Sequence, residues 1–212
     1  MNELFDDPRA GKIYRTAARM IYENGFDATS MQAIAEAVQL TKPGLYYYVG
    51  RKKELLFSIM SFAMHVLESQ VVRPAEGIPD PEERLRHIVA EHARLLTEDS
   101  GELAILMDEV GGLSQEQREQ IITRKRHYFE FVRRTLDDLA DQGRLQPVDT
   151  TVAAFSLLGM VMWTSRWYTK GGRLTGRDVV REMTEIATVG LLKTTSQVNA
   201  VDCVLHEVRE SV

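Results

Sequence analysis

The sequence predicts an all-α protein, and three observations carry that prediction. Apolar residues recur at helical spacing through nearly all of the 212 residues, and no segment shows the alternation of a half-buried strand. Two very short helical segments follow one another between Thr29 and Val49, across a tight turn. The clearest break, from Val72 to Pro81, holds three prolines and a glycine. We therefore expect a small N-terminal helix-turn-helix domain followed by a larger helical domain.

The first helix is expected to begin at Asp7-Pro8, as N-cap and first helical residue, and to end at Asn24-Gly25. Its apolar stripe would support the helix-turn-helix and consists of Ile13, Ala17, Met20 and Ile21. Three cations lie off this stripe: Arg9, Lys12 and Arg15. They form either a solvated face or contacts to DNA phosphates, and the sequence leaves both interpretations open.

The second and third helices form the helix-turn-helix itself. Thr29 is the expected N-cap of the second helix, with Gln32 reaching back to complete a capping box. The apolar face of that helix consists of Met31, Ile34, Ala35 and Val38. Thr41 is the expected N-cap of the third helix, where Pro43 lies in the first turn and loses no hydrogen bond.

The third helix, from Lys42 to about Val49, contains three consecutive tyrosines and is the expected recognition helix. A helix that served only the core would not present so many rings with polar tips. In a DNA groove, phenol hydroxyls reach phosphates, and ring faces pack on sugars and thymine methyl groups. Double-stranded DNA is the expected partner, and the expected contact residues are Ser30, Gln32, Thr41, Lys42, Pro43, Gly44, Tyr46, Tyr47, Tyr48 and Lys52.

This segment closely resembles the DNA-binding segment of the TetR family of bacterial transcriptional regulators. The matching residues are Gly25-Phe26, Thr29-Ser30-Met31, Ile34-Ala35, Lys42-Pro43-Gly44-Leu45-Tyr46-Tyr47-Tyr48, Lys52 and Leu55. Gln39 stands where the family usually has a glycine in the turn, and Arg51 stands where it usually has a small hydroxyl or amide residue. The resemblance implies a dimeric repressor that binds a palindromic operator and is released by a small-molecule effector.

The charge of the chain is distributed unevenly. The formal net charge is −5, but residues 1–56 carry eight Lys and Arg against seven acids, which leaves −6 for the remainder. Phosphate affinity depends on where cations are placed and not on the charge of the whole chain. The basic residues next to the third helix are therefore compatible with DNA binding.

The single cysteine, Cys203, excludes an intramolecular disulfide framework and fits a reducing cytosol. The segment from Met1 to Pro8 is acidic and has no apolar core, so it does not resemble a signal peptide. The most apolar run, Phe155 to Trp163, is far shorter than the roughly 20 residues that span a bilayer. We expect a cytoplasmic protein with no membrane partner.

The rest of the chain shows a series of helical segments. A long fourth helix is expected to begin at Lys52 and to end before Pro74. The later helices are expected over 81–98, Glu102 to Val110, Ser114 to about Gln142, Asp149 or Thr150 to about Lys170, from Thr175 onward, and in a tail from Ser196 to Glu210. We predict a DNA-binding domain over residues 1–56 and an effector-binding and dimerisation domain over 57–212.

The segment from Phe155 to Trp163 is apolar on every side of its helix, which predicts burial on more than one side. One side would pack on the core of its own subunit and the other on a second subunit. The family resemblance implies the same arrangement, a homodimer formed by the last two large helices as a four-helix bundle. The alternative is the central helix of a monomeric bundle.

Nothing in the sequence predicts an enzyme, a cofactor or a metal site. There is no G-x-S-x-G, no phosphate-binding glycine loop and no H-E-x-x-H. His87 and His92 are five residues apart, so helix geometry separates them by about 140° and they cannot chelate one ion. The rival hypothesis from another class is a small-molecule-binding protein or enzyme with a vestigial DNA-binding domain.

An effector pocket is expected in the second domain, because methionines and flat aromatic rings adapt well to apolar ligands. The residues that we expect to line it are Met107, Asp108, Tyr128, Phe129, Met160, Met162, Trp163 and Arg166. The expected effector is largely hydrophobic. An acyl-CoA thioester and a planar aromatic compound are the two alternatives, and the former needs a basic mouth that Arg124, Lys125, Arg126, Arg133 and Arg134 could supply.

Overall fold

The structure, a computed structural model, describes residues 7–98, 101–107 and 113–193. Within these residues the chain forms ten α-helices and no β-sheet, which confirms the all-α prediction. Leu145 and Leu192 make an isolated antiparallel bridge. The helices are α1 (Pro8–Asn24), α2 (Met31–Ala37), α3 (Lys42–Val49), α4 (Lys52–Leu67), α5 (Arg73–Glu76), α6 (Pro81–Thr97), α7 (Gly101–Ala104), α8 (Gln115–Asp141), α9 (Thr150–Trp167) and α10 (Gly176–Leu191).

The first three helices form the head of the molecule around fully buried side chains such as Ile13, Ile34 and Leu45. The predicted capping box at Thr29 is wrong. Ser30 caps α2 instead, since its hydroxyl accepts from the backbone N–H of Ala33 at 3.0 Å. Thr29 is buried, and its hydroxyl lies 3.1 Å from the Met20 carbonyl and 2.9 Å from the Gly25 carbonyl, where it closes the α1–α2 loop.

Two tight connections hold α3 between its neighbours. Gln39, in the turn before α3, has φ = 59°, a left-handed conformation that costs a residue with a side chain about 1 kcal/mol. Gly50, after α3, has φ = 59° as well, and a Cβ there would lie 2.1 Å from a Glu54 carboxylate oxygen. That carboxylate is placed to accept from the Arg51 backbone N–H at 2.6 Å, so Gly50 leaves room for the hydrogen bond that starts α4.

The fourth α-helix ends at Leu67, before Pro74 as predicted, but the helical path does not end there. A five-residue π-helix, Glu68–Val72, joins α4 directly to α5, and the helical path continues to Glu76. A proline is tolerated here because the regular i→i−4 hydrogen-bond ladder is already interrupted by the π-helix. The path also crosses residue 56, the predicted domain boundary.

This continuous segment, Lys52–Glu76, is 25 residues long and is by length and composition apolar enough to cross a membrane. Its apolar window is 61% buried inside the fold, as in the core helix of a soluble protein. The burial accounts for its hydropathy, because the segment packs against α1, α8 and the segment around α7.

The second half of the molecule is organised around α6, which packs against α8, α9 and α10. Ser114 caps α8, and Asp149, rather than the alternative Thr150, caps α9: their side chains accept from Gln117 N–H at 3.2 Å and Val152 N–H at 3.0 Å. The ninth helix ends at Trp167, before the predicted Lys170. The helix predicted from Glu102 is α7 followed by a 3₁₀ turn, Ile105–Met107. The rest of that segment, Cys203 and the tail helix lie outside the described residues.

Candidate DNA interface and effector cavity

The recognition helix α3 presents an exposed surface to solvent. The side chain of Tyr47 is 85% exposed and that of Tyr46 is 41% exposed, unusual values for large aromatic residues. Thr41, Lys42 and Pro43 are also exposed at the start of the helix. The Thr41 hydroxyl caps α3 by accepting from the Gly44 backbone N–H at 3.2 Å. The start of α3 therefore offers a cation, a hydroxyl and aromatic rings on a rigid element.

The predicted contact residues Tyr48 and Lys52 are partly engaged inside the head. Tyr48 is half-buried, and its side chain hydrogen-bonds Arg9, which raises the pKa of that guanidinium. The Lys52 ammonium donates to the Asp27 carbonyl at 3.1 Å and lies 4.7 Å from the centre of the Phe26 ring. These two residues fix the orientation of α3 and of the start of α4.

The other predicted contact residues lie around the first turn of α2 and the start of α3. Ser30 and Gln32 are exposed, and the Gln32 amide donates to the Glu36 carboxylate at 2.7 Å. Gly44 is half-exposed, and a Cβ there would lie 3.2 Å from the Thr41 hydroxyl. Glycine therefore leaves room for the hydroxyl that caps α3. Arg51 and Lys53 are exposed beside them and add positive charge.

The second half of the molecule contains an apolar cavity of about 330 Å³. Its walls come from α4, α6, α8, α9 and the 3₁₀ turn, and they consist of Met64, Leu67, His92, Leu106, Lys125, Tyr128, Phe129, Phe155, Leu158, Gly159 and Met162. The rings of Phe129 and Phe155 lie 4.4 Å apart at one side. Three of the predicted pocket residues, Tyr128, Phe129 and Met162, line this cavity.

Other predicted pocket residues lie elsewhere. Trp163 is 59% exposed on the outside of α9, because neighbouring helical residues point about 100° apart and Met162 already faces the cavity. Met160 is half-buried and does not line the cavity. Arg166 lies over the Tyr22 ring at 5.3 Å, where α9 meets α1. Asp108 and the side chain of Met107 lie outside the described part of the structure.

His92 is a polar residue of the cavity wall that was not among the predicted pocket residues. Its Nδ1 atom lies 3.0 Å from the phenol oxygen of Tyr128, and both side chains are buried. Burial lowers the pKa of His92 from 6.5 to about 4 and raises the pKa of Tyr128 well above its ordinary value. The imidazole is therefore neutral at pH 7. The helical stripe that contains His92 was visible in the sequence, but its distant partner Tyr128 was not.

We expect this burial to make stability depend on pH. The unfolded chain binds a proton at His92 near pH 6.5, whereas the folded imidazole stays neutral down to about pH 4. Acidification through this window should therefore lower the free energy of unfolding, by on the order of 3 kcal/mol in total. Urea denaturation at a series of pH values measures the loss. His92→Gln should reduce the dependence of the free energy of unfolding on pH. His127→Gln, at an exposed position, should leave that dependence unchanged. An equal pH dependence in wild type and His92→Gln would contradict the assignment.

Most cations of the expected basic mouth have partners within the fold. Arg124 makes a bidentate ion pair with Glu68 in the π-helix, with two N–O distances of 2.8 Å. Arg133 pairs with Glu130 and Asp137 on its own helix. Arg134 donates to the Glu130 carbonyl, and Lys125 lines the cavity and donates to the Leu106 carbonyl. Arg126 is exposed on the same helix.

The last two helices carry an exposed apolar surface, which we call the outer face of α9 and α10. Its members are 48–75% exposed: Val152, Phe155, Trp163, Trp167, Ile186 and Val189. Contiguous apolar surface of this kind marks a protein–protein contact. Phe155 belongs both to this face and to the cavity wall, so the cavity lies directly behind it.

A helix-turn-helix head, joined by one helical path to a domain with an apolar cavity, defines a DNA-binding transcriptional regulator that responds to a ligand. Residues 13–59 match the family model of bacterial regulatory proteins of the tetR family, and residues 79–191 match that of the tetracyclin repressor-like C-terminal domain. The chain belongs to the TetR family.

Relatives and solved structures agree with this assignment. The chain is 23% identical to the HTH-type transcriptional repressor KstR2 of Mycobacterium tuberculosis over 187 residues, which cover 87% of this chain and 94% of the relative. It superimposes on AibR in complex with isovaleryl coenzyme A and operator DNA with a TM-score of 0.75 and 40% identity, covering 84% of this chain and 97% of AibR. The regulator PfmR from Thermus thermophilus gives a TM-score of 0.74 and 30% identity, with 83% and 96% coverage.

Proposed function

We propose that this protein is a cytoplasmic, non-catalytic repressor that binds a palindromic operator as a homodimer and leaves it when an acyl-CoA binds the cavity. The observation that carries the proposal is the double role of α4. Met64 and Leu67 line the cavity, and Lys52, at the other end of the same helix, is anchored to the head through Asp27 and Phe26. A ligand that shifts α4 therefore shifts the recognition helix.

The mechanism needs only two relative positions of the DNA-binding heads of the two subunits. In the homodimer, the outer faces of α9 and α10 from two subunits form a four-helix bundle, and each α3 enters one half-site, with half-sites about one helical turn or slightly more apart. The effector favours the position of α4 that misaligns the heads, and it shifts the equilibrium by its difference in affinity for the two positions. We keep the domain division at residue 56, so that α4 belongs mostly to the effector domain.

The size and chemistry of the cavity favour an acyl group over a sugar or an inorganic ion. A volume of about 330 Å³ holds an acyl chain with its thioester but not a whole CoA, so the nucleotide would remain outside. Lys125 at the wall supplies positive charge for its phosphates, and the exposed Arg126 follows it on α8. The complex of AibR with isovaleryl coenzyme A supports this class of effector. A planar aromatic compound stacked on Tyr128 is the competing class.

A release assay separates the two classes. Operator DNA bound to the full-length protein is titrated with acyl-CoAs of increasing chain length, with free CoA, and with uncharged aromatic compounds. We expect release by short or medium acyl-CoAs at micromolar concentration and none by free CoA. Leu158→Trp, which fills the cavity from the wall of α9, should abolish release while leaving operator binding intact. Release by an aromatic compound, together with none by any acyl-CoA, would refute the proposed effector and leave the repressor function standing.

A further inference from the structure

We propose that His92 selects the effector by donating a hydrogen bond from Nε2 to an uncharged carbonyl oxygen. The cavity would thereby recognise a thioester, ester, ketone or amide group and discriminate against the same molecule without its carbonyl. This inference deepens the proposed function and rests on it for the acyl-CoA class of effector. The role of His92 is also testable with ligands that contain no CoA.

The first observation is an unpaired nitrogen on a residue that lines the cavity. His92 is 1% exposed and is one of the residues that line the cavity. Within the described part of the chain, its Nε2 is buried and has no hydrogen-bond partner. Buried polar atoms are paired in most proteins, so an unpaired one beside a cavity points to a ligand group that completes it.

We assign the imidazole proton to Nε2, because the Tyr128 hydroxyl has no other hydrogen-bond partner among the described residues and Nδ1 is placed to accept from it. Burial raises the pKa of Tyr128, so its phenol stays protonated and has a hydrogen to donate. The acceptor within reach is His92 Nδ1, at 3.0 Å, and the two rings meet edge-on at 5.6 Å. When Nδ1 accepts, the single proton of the neutral imidazole lies on Nε2. The ligand must therefore offer an acceptor and not a donor.

The surroundings of His92 favour an uncharged acceptor. Apolar side chains such as Leu67, Phe129 and Leu158 make up most of the wall. A carboxylate in such a cavity would lose its hydration against a neutral imidazole, and Lys125 already donates to the Leu106 carbonyl. A carbonyl oxygen loses far less hydration and satisfies the buried N–H.

The test measures binding of two matched probe pairs to the full-length protein by calorimetry. The first pair is an acyl-CoA thioester and the S-alkyl-CoA thioether of the same chain length. The second pair is a branched aliphatic ketone and the hydrocarbon of the same carbon skeleton. We expect wild type to bind the carbonyl member of each pair at least about tenfold more tightly, because a site built for a hydrogen bond rejects the analogue that lacks it.

Two variants assign the preference to His92. His92→Phe keeps a ring in the wall but removes the donor, so it should bind both members of a pair equally. His92→Gln retains an N–H donor and should restore part of the preference, with circular dichroism used to check that both variants fold. Equal affinity within both pairs in wild type, or a preference that survives in His92→Phe, would overturn the proposal. A His92-dependent preference for the ketone without any binding of acyl-CoA would refute the CoA effector and retain the role of His92.

Discussion

Replacing Ile186 or Val189 with glutamate should convert the protein to a monomer and abolish specific operator binding. Both side chains are largely exposed in a single chain, 62% and 75%, so the charge should leave the fold of each subunit intact. In the homodimer the same charge would be buried in an apolar interface without a partner. A monomer reads one half-site, so its affinity should fall to the level of non-specific binding, a loss of about a thousandfold or more.

Sedimentation at micromolar concentration and operator binding at fixed salt measure this result. Ala140→Glu is the matched control, since it adds the same charge to an exposed position of α8, away from the outer face of α9 and α10. It should remain dimeric and bind the operator normally. Two results would contradict the proposed four-helix-bundle interface: wild type that sediments as a monodisperse monomer, or a Val189→Glu variant that remains dimeric.

Tyr47→Ala should weaken operator binding by about tenfold or more per half-site, and so roughly a hundredfold in the dimer. Tyr47 is the most exposed large hydrophobic residue that the structure describes, and its ring lies edge-on to Tyr48 at 5.3 Å, on the recognition helix. Its removal should leave the thermal stability nearly unchanged, because a side chain that is 85% exposed adds little to the core. The loss should be larger on the operator than on random DNA, since it includes base contacts.

Two other variants divide this effect into its parts. Tyr47→Phe keeps the ring and removes the hydroxyl, so it isolates any hydrogen bond to phosphate. Lys53→Ala, at an exposed position in the first turn of α4, should weaken binding to operator and random DNA alike and lower the salt slope by about one unit. If Tyr47→Ala bound the operator like wild type in a gel-shift titration, the proposed docking of α3 in the groove would be wrong.

The sequence was informative where the deciding interactions are local. Helix periodicity, the caps at Thr41, Ser114 and Asp149, and the exposed tyrosines of α3 all depend on residues within about one turn of each other. These features were enough to predict the all-α fold and the DNA-binding head. The same local features were enough to recognise the resemblance to the TetR family without any tertiary contact.

Local patterns failed where a distant contact competes with them. Thr29 matches a capping pattern as well as Ser30 does, but the hydrogen bonds of Thr29 to Met20 and Gly25 occupy its hydroxyl. Pro74 usually ends a helix, but the π-helix before it lets the helical path continue. At Thr29 the tertiary structure selected between two locally acceptable caps, whereas at Pro74 the adjacent π-helix changed the outcome.

Only the tertiary structure determines which residues line the cavity. The sequence by itself determined that α9 is apolar on every side, but the rotation of α9 against α4, α6 and α8 determines that Met162 faces inward and Trp163 outward. The same packing brings His92 and Tyr128 together across 36 positions of sequence. A periodicity describes one helix, whereas a cavity is the space left between several, so its lining depends on how their side chains interdigitate.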